Sequence, residues 1–196
     1  KDPTRAMIVI DPVLTDTAKM ADFHLRVKPG ADAWALAALA AVLVQENLCN
    51  ETFLAEHVDG DATVRDVLRS VPIDDYAERS GVDGELLRAA ARRIGAADSV
   101  AVFEDLGVQQ APNSTLCSYL NKLLWILTGS FAKRGGQHLH SSFAPLFSPG
   151  GVGRSPVTGS PIIAGLMPSN VVPQEILTDH PDRFRAMIVE SANPAH

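Results

Sequence analysis

Two carboxylates within the first 32 residues have the type and setting to recognise a nucleotide. Asp11 closes a short apolar run, Arg5 to Ile10, and is followed by Pro12. A carboxylate at the C-terminal end of a strand can accept two hydrogen bonds from a ribose diol or a base edge. An Asp-Pro turn residue bonding its own backbone is the competing account. Asp32 stands behind Pro29-Gly30 at the start of a long apolar stretch. There it can cap a helix and complement its dipole, or accept from adjacent donors of a base. Gly30 frees the backbone for a positive φ or for close ligand approach.

Other chemistry is poorly supported. Gly150-Gly151-Val152-Gly153-Arg154-Ser155 resembles a phosphate cradle but lacks the Gly-Lys-Ser/Thr ending and the strand–loop–helix frame of a P-loop. Anion binding there competes with a plain flexible loop. His138 and His140 fall on one face if they lie on a strand, as a metal pair or as ordinary polar residues. Cys49 and Cys117 are far apart with no CxxC, so neither a disulfide framework nor a zinc or iron–sulfur site can be built from them. They read as buried thiols in a reducing compartment, which makes a cytoplasmic location the expectation.

The elements that must position these residues follow from pattern. Arg5 to Ile10 reads as a strand buried on both faces. Thr15 to Met20 reads as a short helix with Thr15 as its cap, and Phe23 to Val27 as an alternating second strand. Asp32 opens a helix to about Glu46, Ala-rich and apolar nearly all round, which predicts burial on every side. A more polar helical stretch spans Glu51 to Val71, and helical spacing returns over Asp74 to Arg79 and Asp83 to Ala96. Ser99 to Phe103 is a third expected strand. Asn113 to Thr128 is a core helix with Gly129 as its C-terminal cap. The expected class is α/β, Rossmann-like, with a largely parallel sheet and flanking helices. Parallel pairing of the first two strands would place Asp11 and Asp32 on one rim of that sheet, facing a shared crevice.

Met7-Ile8-Val9-Ile10-Asp11-Pro12, Thr15, Thr17-Ala18, Ala21-Asp22, His24-Leu25 and Pro29-Gly30, then Asp32, together resemble the nucleotide-binding segment of the prokaryotic molybdopterin oxidoreductases. That family includes formate dehydrogenases, nitrate reductases and dimethyl sulfoxide reductase. Leu106-Gly107-Val108-Gln109-Gln110, Leu127-Thr128-Gly129 with Lys133-Arg134-Gly135-Gly136, and Asn193-Pro194 resemble later family segments. The resemblance covers most of the chain outside roughly Ser141 to Asp182.

It implies an internal fragment of a multidomain enzyme performing two-electron chemistry at molybdenum or tungsten, inactive as a fragment. It also implies a molybdopterin guanine dinucleotide, with Asp11 and Pro12 at the nucleoside, Gly30 and Asp32 at the guanine and Gln110 on the pterin side. The family's [4Fe–4S] cysteines and metal ligand have no counterpart here, nor does the domain that closes over the pterins. The implied partners are the rest of the parent chain and electron-transfer subunits. Val13 stands where the family usually has Arg, and Ser130 and Ala132 where it usually has Asn and Gly. Two other readings stay open: the molybdenum-free homologous subunit of respiratory NADH dehydrogenase, and an unrelated α/β nucleotide-binding module.

The whole composition sets the outer limits. In 196 residues, 46% are hydrophobic and 20% charged, so the chain can bury a core. A formal net charge of -6 without a Lys/Arg cluster argues against nucleic acid as a partner. The longest apolar run, Trp34 to Val44, is too short to span a bilayer. Ser141 to Pro173 holds six Pro, five Gly, six Ser and one charged residue, Arg154. Such a segment reads as a loop held by something outside it, and Phe143, Leu146 and Phe147 are not expected to pack within the chain. Residues 1–140 are expected to form a cofactor-binding domain, 141–173 this loop, and 174–196 the start of a second α/β half. Arg5-Ala6-Met7-Ile8-Val9 recurs as Arg185-Ala186-Met187-Ile188-Val189, which suggests that the second copy is also a strand.

Overall fold

The computed structural model describes residues 4–137, 153–162 and 166–189. The chain divides into two compact units, residues 1–139 and 140–196.

In the first unit, β1 (Ile8–Ile10) and β2 (Phe23–Leu25) pair in parallel, with Ile8 opposite Phe23 and Ile10 opposite Leu25. Backbone bonds from Asp22 N to Met7 O (2.8 Å) and from Asp11 N to Leu25 O (3.3 Å) extend the contact at both ends. Parallel strands need a crossover, and α1 (Asp16–Met20) lies within it, capped where Thr15 Oγ accepts from the Ala18 amide at 3.2 Å. The α/β class and the parallel pairing hold, and among the described residues the sheet has two strands.

The rest of this unit is helical and built around α2 (Asp32–Gln45). Ala35, Leu36 and every residue from Ala38 to Val44 are buried, as the all-round apolar pattern requires. α4 (Asp61–Arg69), α5 (Ile73–Ser80), α6 (Gly84–Gly95) and α8 (Ser114–Leu127) all pack on it. Its alanines let these neighbours approach closely, and each fully buried Leu on it contributes roughly 1.5–3 kcal/mol. The polar stretch expected as one helix breaks into α3 (Glu51–His57) and α4, because Gly60 adopts φ +78° between them. α8 ends as expected, with Gly129 at φ +67°, where a Cβ would lie 2.7 Å from Asn50 Nδ2.

One expected strand is absent. Among the described residues, 99–103 pair with no strand; the Val100 amide donates to Ser130 Oγ (2.9 Å) and the Val102 amide to Gln137 Oε1 (3.4 Å). Side chains thus take the place of a ladder, and Phe103 is 86% exposed. The short helix α7 (Leu106–Gln109) follows, capped by Asp105.

In the second unit, residues 153–162 fold back on themselves, with Ile162 N on Gly153 O (2.8 Å) and Ser155 N on Ser160 O (2.8 Å). Glu175, in α9 (Val172–Ile176), is fully buried and accepts from the amides of Val157 (3.0 Å) and Thr158 (2.8 Å) and the Thr158 hydroxyl (2.8 Å). The described part of the glycine-rich loop therefore gives its donors to the chain's own carboxylate. The repeated pentapeptide forms no strand here: Arg185 to Val189 is without regular structure, and Ile188 is 97% exposed. A strand needs a neighbour for its backbone groups, and among the described residues none lies beside this segment. His138, His140, Phe143, Leu146 and Phe147 fall outside the described residues.

Candidate functional site

The sequence-predicted residues belong to the first unit. β1 delivers Asp11 and Pro12 directly. β2 runs parallel to it, so the chain leaving Leu25 emerges on the same rim. Val27 is buried beneath that rim, and a turn closed by Ala31 N to Lys28 O (3.0 Å) leads into α2. Gly30 sits in this turn at φ +78°, a conformation that L side chains rarely adopt. A Cβ there would lie 3.4 Å from the Pro112 ring. The turn is thus pressed against the segment that joins α7 to α8, two residues beyond Gln110.

Asp11 serves its own turn with one oxygen. Oδ1 accepts from the Val13 amide at 2.7 Å, which fixes the Asp-Pro corner. No hydrogen bond is made by Oδ2 among the described residues. The corner is also held from β2. His24 Nε2 lies 2.9 Å from Asp11 O, and Arg26 Nε donates to Pro12 O at 3.0 Å. These two side chains alternate with Leu25 and Val27, which face the core. The period-2 pattern of the strand contained that signal, although neither residue stood out as a site candidate.

Asp32 differs. The residue is only 8% exposed; its carboxylate oxygens make no hydrogen bond or ion pair among the described residues, and they keep the contact with solvent. Nor does it cap α2: the position before the first turn is Ala31, which has no side-chain cap bond. Its charge is felt across the interface with α8. Burial first, and then Asp32, push the Cys117 thiol above its ordinary range. The helix start and α8 therefore form two sides of one corner, with Gly30 and Pro112 in contact at its edge. A carboxylate whose oxygens reach solvent but no protein donor is open to the donors of a ligand.

Gln110, at the exposed end of α7, closes that helix through its backbone amide. Next to it, a shallow open groove of about 440 Å³ runs between α7 and α8, lined by Glu104, Val108, Gln109, Tyr119 and Lys122. Burial opposes ionisation of Glu104, and the Ser118 hydroxyl (2.7 Å), the Asn121 amide (3.1 Å) and Lys122 outweigh it, leaving its carboxyl below the usual range. The structure thus brings Gly30 and Asp32 together and sets Asp11 and Pro12 on the same rim. No direct contact joins Asp11 to Asp32 or either to Gln110 among the described residues.

No family model matches the chain. It is 33% identical over 137 residues to the F420-dependent formate dehydrogenase 1 subunit alpha of Methanococcus maripaludis, covering 69% of this chain and 20% of that protein. It is 33% identical over 128 residues to the assimilatory nitrate reductase catalytic subunit of Bacillus subtilis, covering 64% and 18%. Against formate dehydrogenase H of Escherichia coli the figures are 30% over 127 residues, 65% and 18%. Among solved structures, acetylene hydratase from Pelobacter acetylenicus superposes with a TM-score of 0.62 at 26% identity, over 65% of this chain and 18% of that one. The chain spans about a fifth of the length of these relatives.

Proposed function

As a homologue, over about two thirds of its length, of catalytic subunits in the molybdopterin oxidoreductase family, the chain is, we propose, an internal segment of such an enzyme. Its first unit would hold the guanosine end of a molybdopterin guanine dinucleotide. The observation that carries this reading is Asp32: a residue 8% exposed whose carboxylate oxygens meet no protein donor among the described residues and stay open to solvent, at a helix start that it does not cap. Guanine presents N1–H and N2–H₂ side by side, and a carboxylate accepts from both. Gly30 lets the turn before Asp32 take its positive φ against Pro112. Asp11 and Pro12 stand at the nucleoside, with Asp11 Oδ2 available to a ribose hydroxyl. Gln110 faces the pterin side.

When bound, the pterin dinucleotide would supply coordination of molybdenum or tungsten and its two-electron chemistry. This segment binds and orients; substrate turnover, any [4Fe–4S] centre and electron-transfer partners belong to the longer polypeptide. Calorimetric titration of the chain with GDP and ADP tests the reading. GDP should bind at least about tenfold more tightly, because adenine leaves the carboxylate unpaired. Asp32→Asn should weaken GDP by about ten- to a hundredfold with the circular dichroism spectrum unchanged. It should also lower the GMP released by acid hydrolysis of the full-length protein. Equal affinity for the two nucleotides, or unchanged GMP release from the variant, would overturn it.

A further inference from the structure

The rim that carries Asp11 and Asp32 has two negative side chains, and a nucleoside diphosphate brings further negative charge. Such a ligand needs a cation at that rim. Val13 offers none, and Lys28 is turned away, its Nζ on Glu78 O at 3.1 Å. Arg26 has the required placement. It follows β2 by one residue, between the buried Leu25 and Val27, so its side chain leaves the sheet on the solvent side. Its Nε donates to Pro12 O at 3.0 Å, which seats the guanidinium beside the Asp11–Pro12 corner. Neither Nη atom makes a hydrogen bond or ion pair among the described residues. Arg65, Arg69, Arg79, Arg88 and Arg92 of the same unit all lie on carboxylates.

We propose that Arg26 binds the diphosphate of the nucleotide, with Nε anchored on the backbone and both Nη groups directed to phosphate oxygens. A guanidinium fixed at one nitrogen keeps two parallel donors, the geometry that matches phosphate bidentately. The inference rests on the guanine reading of this corner and adds to it a residue that neither the spacing nor the resemblance singled out.

Titration of the chain and its variants with GDP and guanosine separates the two claims. Arg26→Gln should weaken GDP about tenfold and leave guanosine unchanged. Arg26→Lys should recover part of the loss, because the charge returns without the fork. Added salt should weaken GDP more in the wild type than in Arg26→Gln. Unchanged GDP affinity in Arg26→Gln, or equal losses for GDP and guanosine, would overturn the role of Arg26 and leave the guanine site standing. A wild-type chain that binds neither ligand would overturn both.

Discussion

Asp11 and Asp32 are the same residue type at neighbouring ends of the fold, and their hydrogen bonds separate their roles. Asp11 holds the Val13 amide, so part of its function is the turn itself. Asp11→Asn keeps an acceptor in place and should leave stability within about 0.5 kcal/mol, whereas Asp11→Ala should cost about 1 kcal/mol. Urea unfolding of both variants checks the difference. Gly30 is constrained by its backbone: at φ +78°, with a Cβ position in contact with Pro112, Gly30→Ala should destabilise by about 1 kcal/mol or more. The same measurement decides it. Burial pushes the Cys49 thiol up to about 11, and Cys117 is fully enclosed. Neither should react with iodoacetamide at pH 8 in the folded chain, and both should react in denaturant. Mass spectrometry of the alkylated protein reads this directly.

At the level of elements, the best-defined device outside the candidate site is the Glu175 tether. Burial disfavours its charge, but the amides of Thr158 and Val157 and the hydroxyls of Ser155 and Thr158 prevail, holding the carboxyl down to about 2. A carboxyl depressed in the fold contributes stability above its ordinary value of 4.5, and loses it as pH falls towards 2. Glu175→Gln should therefore open residues 153–162 to proteolysis at pH 7, and the wild type should match it only at about pH 2 and below. Equal protection of variant and wild type at pH 7 would refute the tether.

Elements governed by local pattern were legible in the sequence: the Thr15 cap, the buried Ala-rich α2 and the Gly129 stop. Elements that depend on remote partners were not. Residues 99–103 have strand composition, but Ser130 and Gln137 take their amides. Arg185 to Val189 repeats Arg5 to Val9, the run that leads into β1, without its neighbour among the described residues. In the candidate site, the positions of Asp11, Gly30 and Asp32 followed from strand and helix ends. The contact between Gly30 and Pro112 did not, because 82 positions separate its partners and no local period records it.

For the molecule as a whole, the first unit depends on one helix. Because α2 is enclosed by α4, α5, α6 and α8, a cavity in it cannot be filled from the surface. Leu39→Ala should cost about 2–5 kcal/mol and lower the midpoint of the whole unit rather than unfold one helix alone. Loss of α8 with α4 to α6 retained, seen by hydrogen exchange in that variant, would contradict this single-core description.

The arrangement around α2 also sets an order of assembly. The strands, α2, and α4 to α6 are neighbours in sequence and can compact while the chain is still being synthesised. Pro112 and α8, which complete the corner around Asp32, emerge after these elements. At about 5–20 residues per second, the Asp32 carboxylate spends several seconds on a half-built wall, open on the side that α8 later covers. A nucleotide-sized ligand can therefore reach it from the side on which α8 later docks.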